Sequence, residues 1–262
     1  MPEGDATNAA IAILTARPDR TVLLLDFDGS LAPIVERADA ARPLPDALVQ
    51  LKRLVRSLGR VGIVSGRPVG YLVEHVPIDG LVLTGLYGME HVVAGERTVD
   101  PRVEPYLEAV AAAVDELQAR FPPEVVEPKS GVSVTLHWRP APDRADEILQ
   151  AGEEVARDHG LAPLRTRMAI ELRPPIEIDK GDVTRELVAG FDVAAFAGDD
   201  TGDLPAFAAL ASARADGTLL QAVRIGVTSP EAPPELAASV DVVVTGPDGL
   251  VALLARVADE VA

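Results

Sequence analysis

Short aliphatic runs that stop abruptly at a small or acidic residue constrain the fold of this chain more than any other feature. Val22–Leu25 runs into Asp26, Val61–Val64 into Ser65, Leu81–Thr84 into Gly85 and Val193–Ala197 into Gly198; Arg224–Val227 and Val240–Val244 complete the set. Such runs are apolar on both faces, as buried parallel strands are, and their C-terminal ends open into loops. Helical stretches separate them: Pro45–Leu58, Lys180–Ala189, Asp203–Ala211 and Gly249–Val261. Apolar residues recur there at i, i+3, i+4 spacing, as in Leu48, Leu51, Val55 and Leu58. Strand alternating with helix predicts an α/β chain with a doubly wound, Rossmann-like core.

The stretch from about Arg102 to Arg173 breaks the rhythm. It reads as an amphipathic helix over Glu104–Arg120, an alternating run Val132–Trp138, a second helix over Asp143–His159 and another alternating run, Met168–Arg173. Alternation predicts antiparallel strands with one apolar and one polar face. Two helices backing such a sheet make an inserted α+β module. Prolines 101, 105, 174 and 175 stand near its joints. The expected division is core over 1–101, inserted domain over 102–174 and core again over 175–262.

Composition narrows the chemistry. Among 262 residues, 41 acids against 24 bases give a net charge of −17, which opposes binding to a polyphosphate backbone. Any anionic substrate must then be met by a few local cations or a metal. No cysteine is present, which removes disulfides, thiolate metal sites and thiol nucleophiles. The four histidines do not fall at a metal-ligand spacing. The first residues lack the basic region of a signal peptide, and no apolar run is long enough to cross a bilayer. The reading is a cytoplasmic protein without membrane or nucleic-acid partners, a monomer or weak dimer, with residues 1–20 a frayed leader or short helix.

The strongest local feature is Leu25-Asp26-Phe27-Asp28-Gly29-Ser30. Two carboxylates at i and i+2 after a buried strand can hold a hard divalent cation, and one of them can attack phosphorus. Alone, the same residues also read as a strand-ending turn. Ser65-Gly66-Arg67 ends the second strand, where a hydroxyl and a backbone N–H can bind a phosphoryl oxygen. Lys180 opens a helix, and Gly198-Asp199-Asp200-Thr201-Gly202-Asp203 ends another strand with three carboxylates. In a parallel sheet these strand ends share one edge, so Asp26, Ser65, Lys180 and Asp199 can converge in one crevice. That many like charges call for a compensating metal.

These four segments, in this order, resemble the motifs of the haloacid dehalogenase superfamily of phosphatases, with serine at 30 where threonine is usual. The resemblance implies a two-step transfer: Asp26 the nucleophile, Asp28 the general acid and base, and Ser65 and Lys180 binding the phosphoryl oxygens. It implies Mg2+ held by Asp26, the Asp28 carbonyl and Asp199, with Asp203 or Asp200 further out. The roughly 115 residues between Ser65 and Lys180 exceed a β–α–β segment by about 75, which matches the superfamily's second (C2) type of cap, a lid over the crevice.

The chain is similar, more narrowly, to trehalose-6-phosphate phosphatases. Leu31-Ala32-Pro33-Ile34 extends the first motif, and Gly85-Leu86-Tyr87-Gly88-Met89-Glu90 resembles a segment with histidine at the place of Tyr87. Glu127–Arg139 and Glu171-Leu172-Arg173-Pro174 resemble cap sequences of that family. The implied substrate contacts are Arg67, Glu90, Lys129, Ser133, His137, Arg139, Glu171 and Arg173. The fourth motif departs from the family at Leu204 and Pro205, where two acids are common. The alternatives are a phosphatase of another sugar or pseudo-disaccharide phosphate, a sugar phosphomutase, a non-catalytic sugar-phosphate sensor or a phosphorylatable receiver domain, the last being about half this length.

Overall fold

The computed structural model describes residues 3–35, 40–166, 168–229 and 233–262. Two compact units divide the chain, Met1–Thr98 with Ile178–Ala262, and Val99–Glu177. Their limits lie three residues outside the expected joints at either end. Among the described residues, no helix is long and apolar enough to cross a membrane.

In the first unit the chain forms helix α1 (Glu3–Thr15), strand β1 (Thr21–Leu25), α2 (Pro45–Ser57), β2 (Arg60–Val64), α3 (Val69–His75), β3 (Val82–Gly85), β4 (Glu90–Val93) and β5 (Glu96–Val99). The second unit carries α4 (Leu107–Arg120), β6 (Val126–Lys129), β7 (Ser133–His137), α5 (Ala145–Asp158), β8 (Ala162–Thr166) and β9 (Ala169–Arg173). The chain returns to the first unit through α6 (Lys180–Val188), β10 (Val193–Gly198), α7 (Leu204–Ala215), β11 (Gln221–Thr228), α8 (Pro234–Ala238), β12 (Val242–Thr245) and α9 (Gly246–Glu260).

The large sheet has the order β12-β11-β10-β1-β2-β3-β4-β5, parallel from β12 to β3 and antiparallel between β3 and β4. Every residue of β1 is buried. Leu23 and Leu25 join one apolar cluster with Leu14 of α1, Leu51 and Leu54 of α2 and Leu254 of α9. α2 forms where it does because Pro45 suits a first helical turn, Asp46 and Arg56 complement the two ends of the helix dipole, and Ala47, Leu51 and Leu54 make one buried stripe. α6 and α7 pack on each other. The flanking of β1 by β2 on one side and β10 on the other makes a switch point, where such sheets place their ligand crevice at the strands' C-terminal ends.

The N-terminal segment is a 13-residue helix, the second of the two expected forms, and its Ala10, Ile11 and Leu14 belong to that same cluster, so it is packed into the core rather than frayed. The β4–β5 hairpin escaped the sequence reading. Its Glu-His-Val-Val and Glu-Arg-Thr-Val strands are polar and half exposed, as an edge is. Ala94 and Gly95 both take positive φ between them, the conformation of a tight two-residue hairpin turn.

The second unit is a four-stranded antiparallel sheet of order β6-β7-β9-β8. Val134, Leu136, Ile170 and Leu172 on one face form a core with Val110, Ala113 and Leu117 of α4 and Ile148, Ala151 and Val155 of α5. Strand alternation then sends Glu127, Lys129, Ser133, Thr135, His137, Glu171 and Arg173 to the other face.

Candidate active site

Asp26 directly follows β1, and its N–H extends the ladder by donating to the Ala197 carbonyl. Lys180 arrives from α6. The Asp179 carboxylate accepts from the N–H groups of Gly181 and Asp182, while the Asp182 side chain accepts from Asp179 N–H. This reciprocal cap fixes the first turn and so the direction of Lys180. The Lys180 ammonium then donates to Asp26 Oδ1 and to Asp203 Oδ1, each at 2.6 Å, and all three side chains are buried.

Asp203 has a second task. Its Oδ2 accepts from the N–H groups of Asp199 and Asp200, at 2.8 and 3.1 Å, which closes the loop after β10. One oxygen of each of Asp26, Asp199 and Asp203 lies within 4.8 Å of the others. Asp199 is 6% exposed, and its Oδ1 is buried with no hydrogen-bond donor among the described residues. The trio comes this close to the first loop because residue 29 is glycine: at φ +76°, a Cβ there would fall 2.0 Å from Asp199 Oδ2.

Three buried carboxylates share one ammonium, and the electrostatics record the imbalance. Burial pushes the Asp26 carboxyl well above the usual carboxylate range, against the pull of Lys180. Burial, with Asp203 and Asp200 nearby, pushes Asp199 up to about 7. For Lys180, burial acts downward, but the flanking Asp26 and Asp203 outweigh it and hold the ammonium above its ordinary range. An all-oxygen donor set with surplus negative charge and an orphaned carboxylate oxygen fits a hard divalent cation. Asp200, expected as a further ligand, is exposed, and its Oδ1 is committed to Gly202 N–H at the start of the next turn.

The remaining motif residues surround this cluster. Ser65 is buried at the end of β2, with its Oγ accepting from Arg67 N–H at 3.1 Å. The Arg67 guanidinium donates twice to Asp28, from Nε to Oδ2 and from Nη2 to Oδ1, both at 2.7 Å, and lies 4.8 Å from the centre of the Tyr71 ring. Arg67 therefore engages the expected acid–base residue, where a substrate contact was expected. Glu90 also departs from expectation: it is fully buried, with Oε2 accepting from Val69 N–H and Oε1 paired with Arg97. Ser30 is a residue the sequence reading left without a role. Its hydroxyl is buried with no hydrogen-bond partner among the described residues, one residue past Gly29.

In the second unit, Ser133 Oγ donates to Glu171 Oε1 at 2.6 Å, and Lys129 lies 3.4 Å from Glu171 Oε2. His137 Nε2 and Glu127 Oε2 are 2.7 Å apart. Glu127, Thr135 and Glu171 stand in one cross-strand row, and Lys129 is opposite Ser133 in the next. Thr135 Oγ1 is buried without a hydrogen-bond partner among the described residues. Glu127 was not among the expected contacts, although its i, i+2 spacing with Lys129 signals the shared face. Arg173 ends β9 on this face, and Arg139 lies exposed in the turn after β7.

Comparison with known proteins bears on this arrangement. The chain is 31% identical over 191 residues to the trehalose-phosphate phosphatase of Mycobacterium leprae (strain TN), covering 69% of this chain and 42% of that protein. It spans about half the length, or less, of the curated relatives it matches. The crystal structure of a trehalose-6-phosphate phosphatase related protein superposes with a TM-score of 0.73 at 22% identity, covering 91% of this chain and 97% of the other. A haloacid dehalogenase-like hydrolase from Bacteroides thetaiotaomicron gives 0.56 at 17% identity, covering 90% and 98%. The fold is thus shared with these proteins: a Rossmann-like core with an inserted α+β cap unit. A sequence model of the trehalose-phosphatase family matches residues 24–234, from within the first core strand to the start of α8, and the chain belongs to that family.

Proposed function

We propose that the chain is a Mg2+-dependent phosphatase that hydrolyses trehalose 6-phosphate to trehalose and phosphate through an aspartyl-phosphate. The observation that carries this reading is Asp26, buried at the end of β1, held at one oxygen by Lys180, which also binds Asp203, and grouped with Asp199 and Asp203 so that one oxygen of each lies within 4.8 Å of the others. Asp26 and Asp199 are the residues that would hold the cation, with Asp203 acting through the loop and Lys180. The cation supplies charge neutralisation on the phosphoryl oxygens.

The steps use this chain's own groups. A carboxylate oxygen of Asp26 attacks phosphorus as the bond from phosphorus to the sugar oxygen breaks, and the Asp28 carboxyl gives its proton to the leaving alkoxide. Asp28 then takes a proton from water, whose oxygen attacks phosphorus and releases Asp26 and inorganic phosphate. Lys180 and the Ser65 hydroxyl hold the phosphoryl oxygens throughout. Arg67 sets the direction of the Asp28 carboxylate through its paired hydrogen bonds. On the cap, Glu127, Lys129, Ser133, His137, Glu171 and Arg173 present donors and acceptors on one sheet face, a chemistry suited to sugar hydroxyls.

The test is phosphate release from trehalose 6-phosphate with and without Mg2+, beside sucrose 6-phosphate and glucose 6-phosphate. Metal-dependent release favouring the trehalose ester, absent in Asp26→Asn, is the expected result. Preference for another ester would keep the mechanism and overturn the substrate. No release from any of them would overturn the enzyme reading.

A further inference from the structure

The turn between β3 and β4 is strained and heavily anchored at once. Leu86 and Tyr87 take φ of 48° and 60°, the left-handed region that side chains other than glycine disfavour, and Gly88 follows at 116°. Two such residues in succession persist only where their surroundings over-determine them. Its Leu86 and Tyr87 amides and its Glu90 carboxylate are tied to the loop Ser65–Val69 that follows β2. Leu86 N–H donates to the Arg67 carbonyl and Tyr87 N–H to the Ser65 carbonyl, each at 3.0 Å. The Tyr87 ring lies against Gly66, where a Cβ would fall 2.7 Å from the ring's Cζ and its hydroxyl. Glu90, at the turn's far end, reaches back to accept from Val69 N–H at 2.8 Å.

Val69 is the first residue of α3, so its N–H has no acceptor inside the helix. Pro68 before it has no N–H to give. Glu90 is therefore the acceptor for the first donor after the loop. Its carboxylate has zero exposure, and Arg97 on β5 takes its other oxygen. The loop it steadies carries the Ser65 hydroxyl and the guanidinium that holds Asp28.

We propose that Glu90 is a positioning residue for phosphoryl binding: through Val69 N–H it fixes the Ser65–Arg67 loop, without touching substrate. The inference rests on the phosphatase reading of the site, and its test carries a readout that does not.

Two conservative variants separate hydrogen bond from charge. Glu90→Gln keeps an oxygen acceptor in place and loses the charge; Glu90→Asp keeps the charge and withdraws the acceptor by one methylene. Two quantities are measured on the whole chain: amide hydrogen exchange over residues 65–69, and affinity of the Mg2+-loaded protein for inorganic phosphate by titration calorimetry. The expected result is faster exchange at 65–69 in Glu90→Asp alone, with about tenfold weaker phosphate binding and unchanged Mg2+ affinity. Glu90→Gln stays within about twofold of the parent, a small fraction of a hydrogen bond's worth. The reverse order, or exchange at 65–69 indifferent to both variants, overturns the proposal. A parent protein that binds no phosphate overturns the phosphatase reading, while the exchange data still decide the role of Glu90.

Discussion

The core's acidic cluster and the cap's polar face both bring carboxylates and cations together, yet they are built on different terms. In the core, Asp26, Lys180 and Asp203 are each at most 4% exposed, and the acids also stand at backbone anchor points: a β ladder for Asp26, two loop amides for Asp203. On the cap, the Glu127–His137 pair is about half exposed, at 52% and 35% of its side-chain areas, and Lys129 sits at a looser 3.4 Å from Glu171. A buried, over-anchored cluster holds one geometry and cannot lose a member cheaply. The solvated end of the cap face, Glu127 with His137, can exchange members one at a time, whereas Ser133 and Glu171 are buried like the core acids. On the proposed reading, the chemistry is fixed in the scaffold, while part of the recognition is carried where substitution is tolerated.

The largest effects should fall in the core. Asp26→Asn removes the attacking carboxylate and is expected to lower kcat/KM by about 10⁴-fold or more, as loss of a nucleophile does; because Asn keeps the shape and an acceptor for Lys180 and relieves repulsion from Asp199 and Asp203, the melting temperature should hold. Steady-state kinetics beside a thermal melt check both parts. Lys180→Met leaves Asp26 and Asp203 facing each other without their shared cation. Stripping one partner from a buried ion pair costs about 3–5 kcal/mol, so denaturant unfolding should show the deepest stability loss of any single site variant. A cost under about 1 kcal/mol would place this cluster with exposed pairs and erase the contrast with the cap.

This contrast was only half legible in the sequence. The strand ends at Asp26, Ser65 and Asp199 could be read because aliphatic runs broken by acids or hydroxyls have few other uses in a doubly wound sheet. The polar face of Ser133, Thr135 and His137 followed from period-two alternation. What escaped were roles set by tertiary partners. Glu90 looks like any acid before a valine pair; only its zero exposure and its bond to Val69 N–H separate it from a substrate contact. Arg67 could be seen to lie near phosphate but not to clasp Asp28, 39 residues away in sequence. β6 and β8 are short and carry Pro128 and Pro163, which mask strand propensity.

A smaller effect follows from the charge surplus. Asp199 is held at about 7 against an ordinary 3.8, so the folded metal-free protein keeps a proton there that the unfolded chain has already lost. At this group the folded state binds more protons in that window, so the contribution of Asp199 to stability falls as pH rises from about 4 to 7. Asp199→Asn removes this contribution, so the difference in melting temperature between variant and parent should widen in the variant's favour across that range. Saturating Mg2+ should abolish the difference by stabilising the parent. A gap independent of pH would mean that Asp199 is not under electrostatic load.

The cap should yield the mildest changes, and they sort by exposure. Lys129→Ala, beside the buried Glu171, is expected to raise KM about tenfold with kcat nearly unchanged, the mark of binding lost equally in ground and transition states. His137→Ala should do less. Its pair with Glu127 is half solvated, and such pairs contribute about 0.2–1 kcal/mol, a rise in KM of about 1.4-fold to fivefold that high salt shrinks further. A double cycle with Glu127→Gln decides what that rise means. Additive single effects would say that each side chain meets the sugar independently, whereas a coupling equal to either single effect would say that the pair acts only on itself. If instead His137→Ala lowered kcat as far as the core variants do, the division between fixed chemistry and tolerant recognition would fail at the residue where it predicts least.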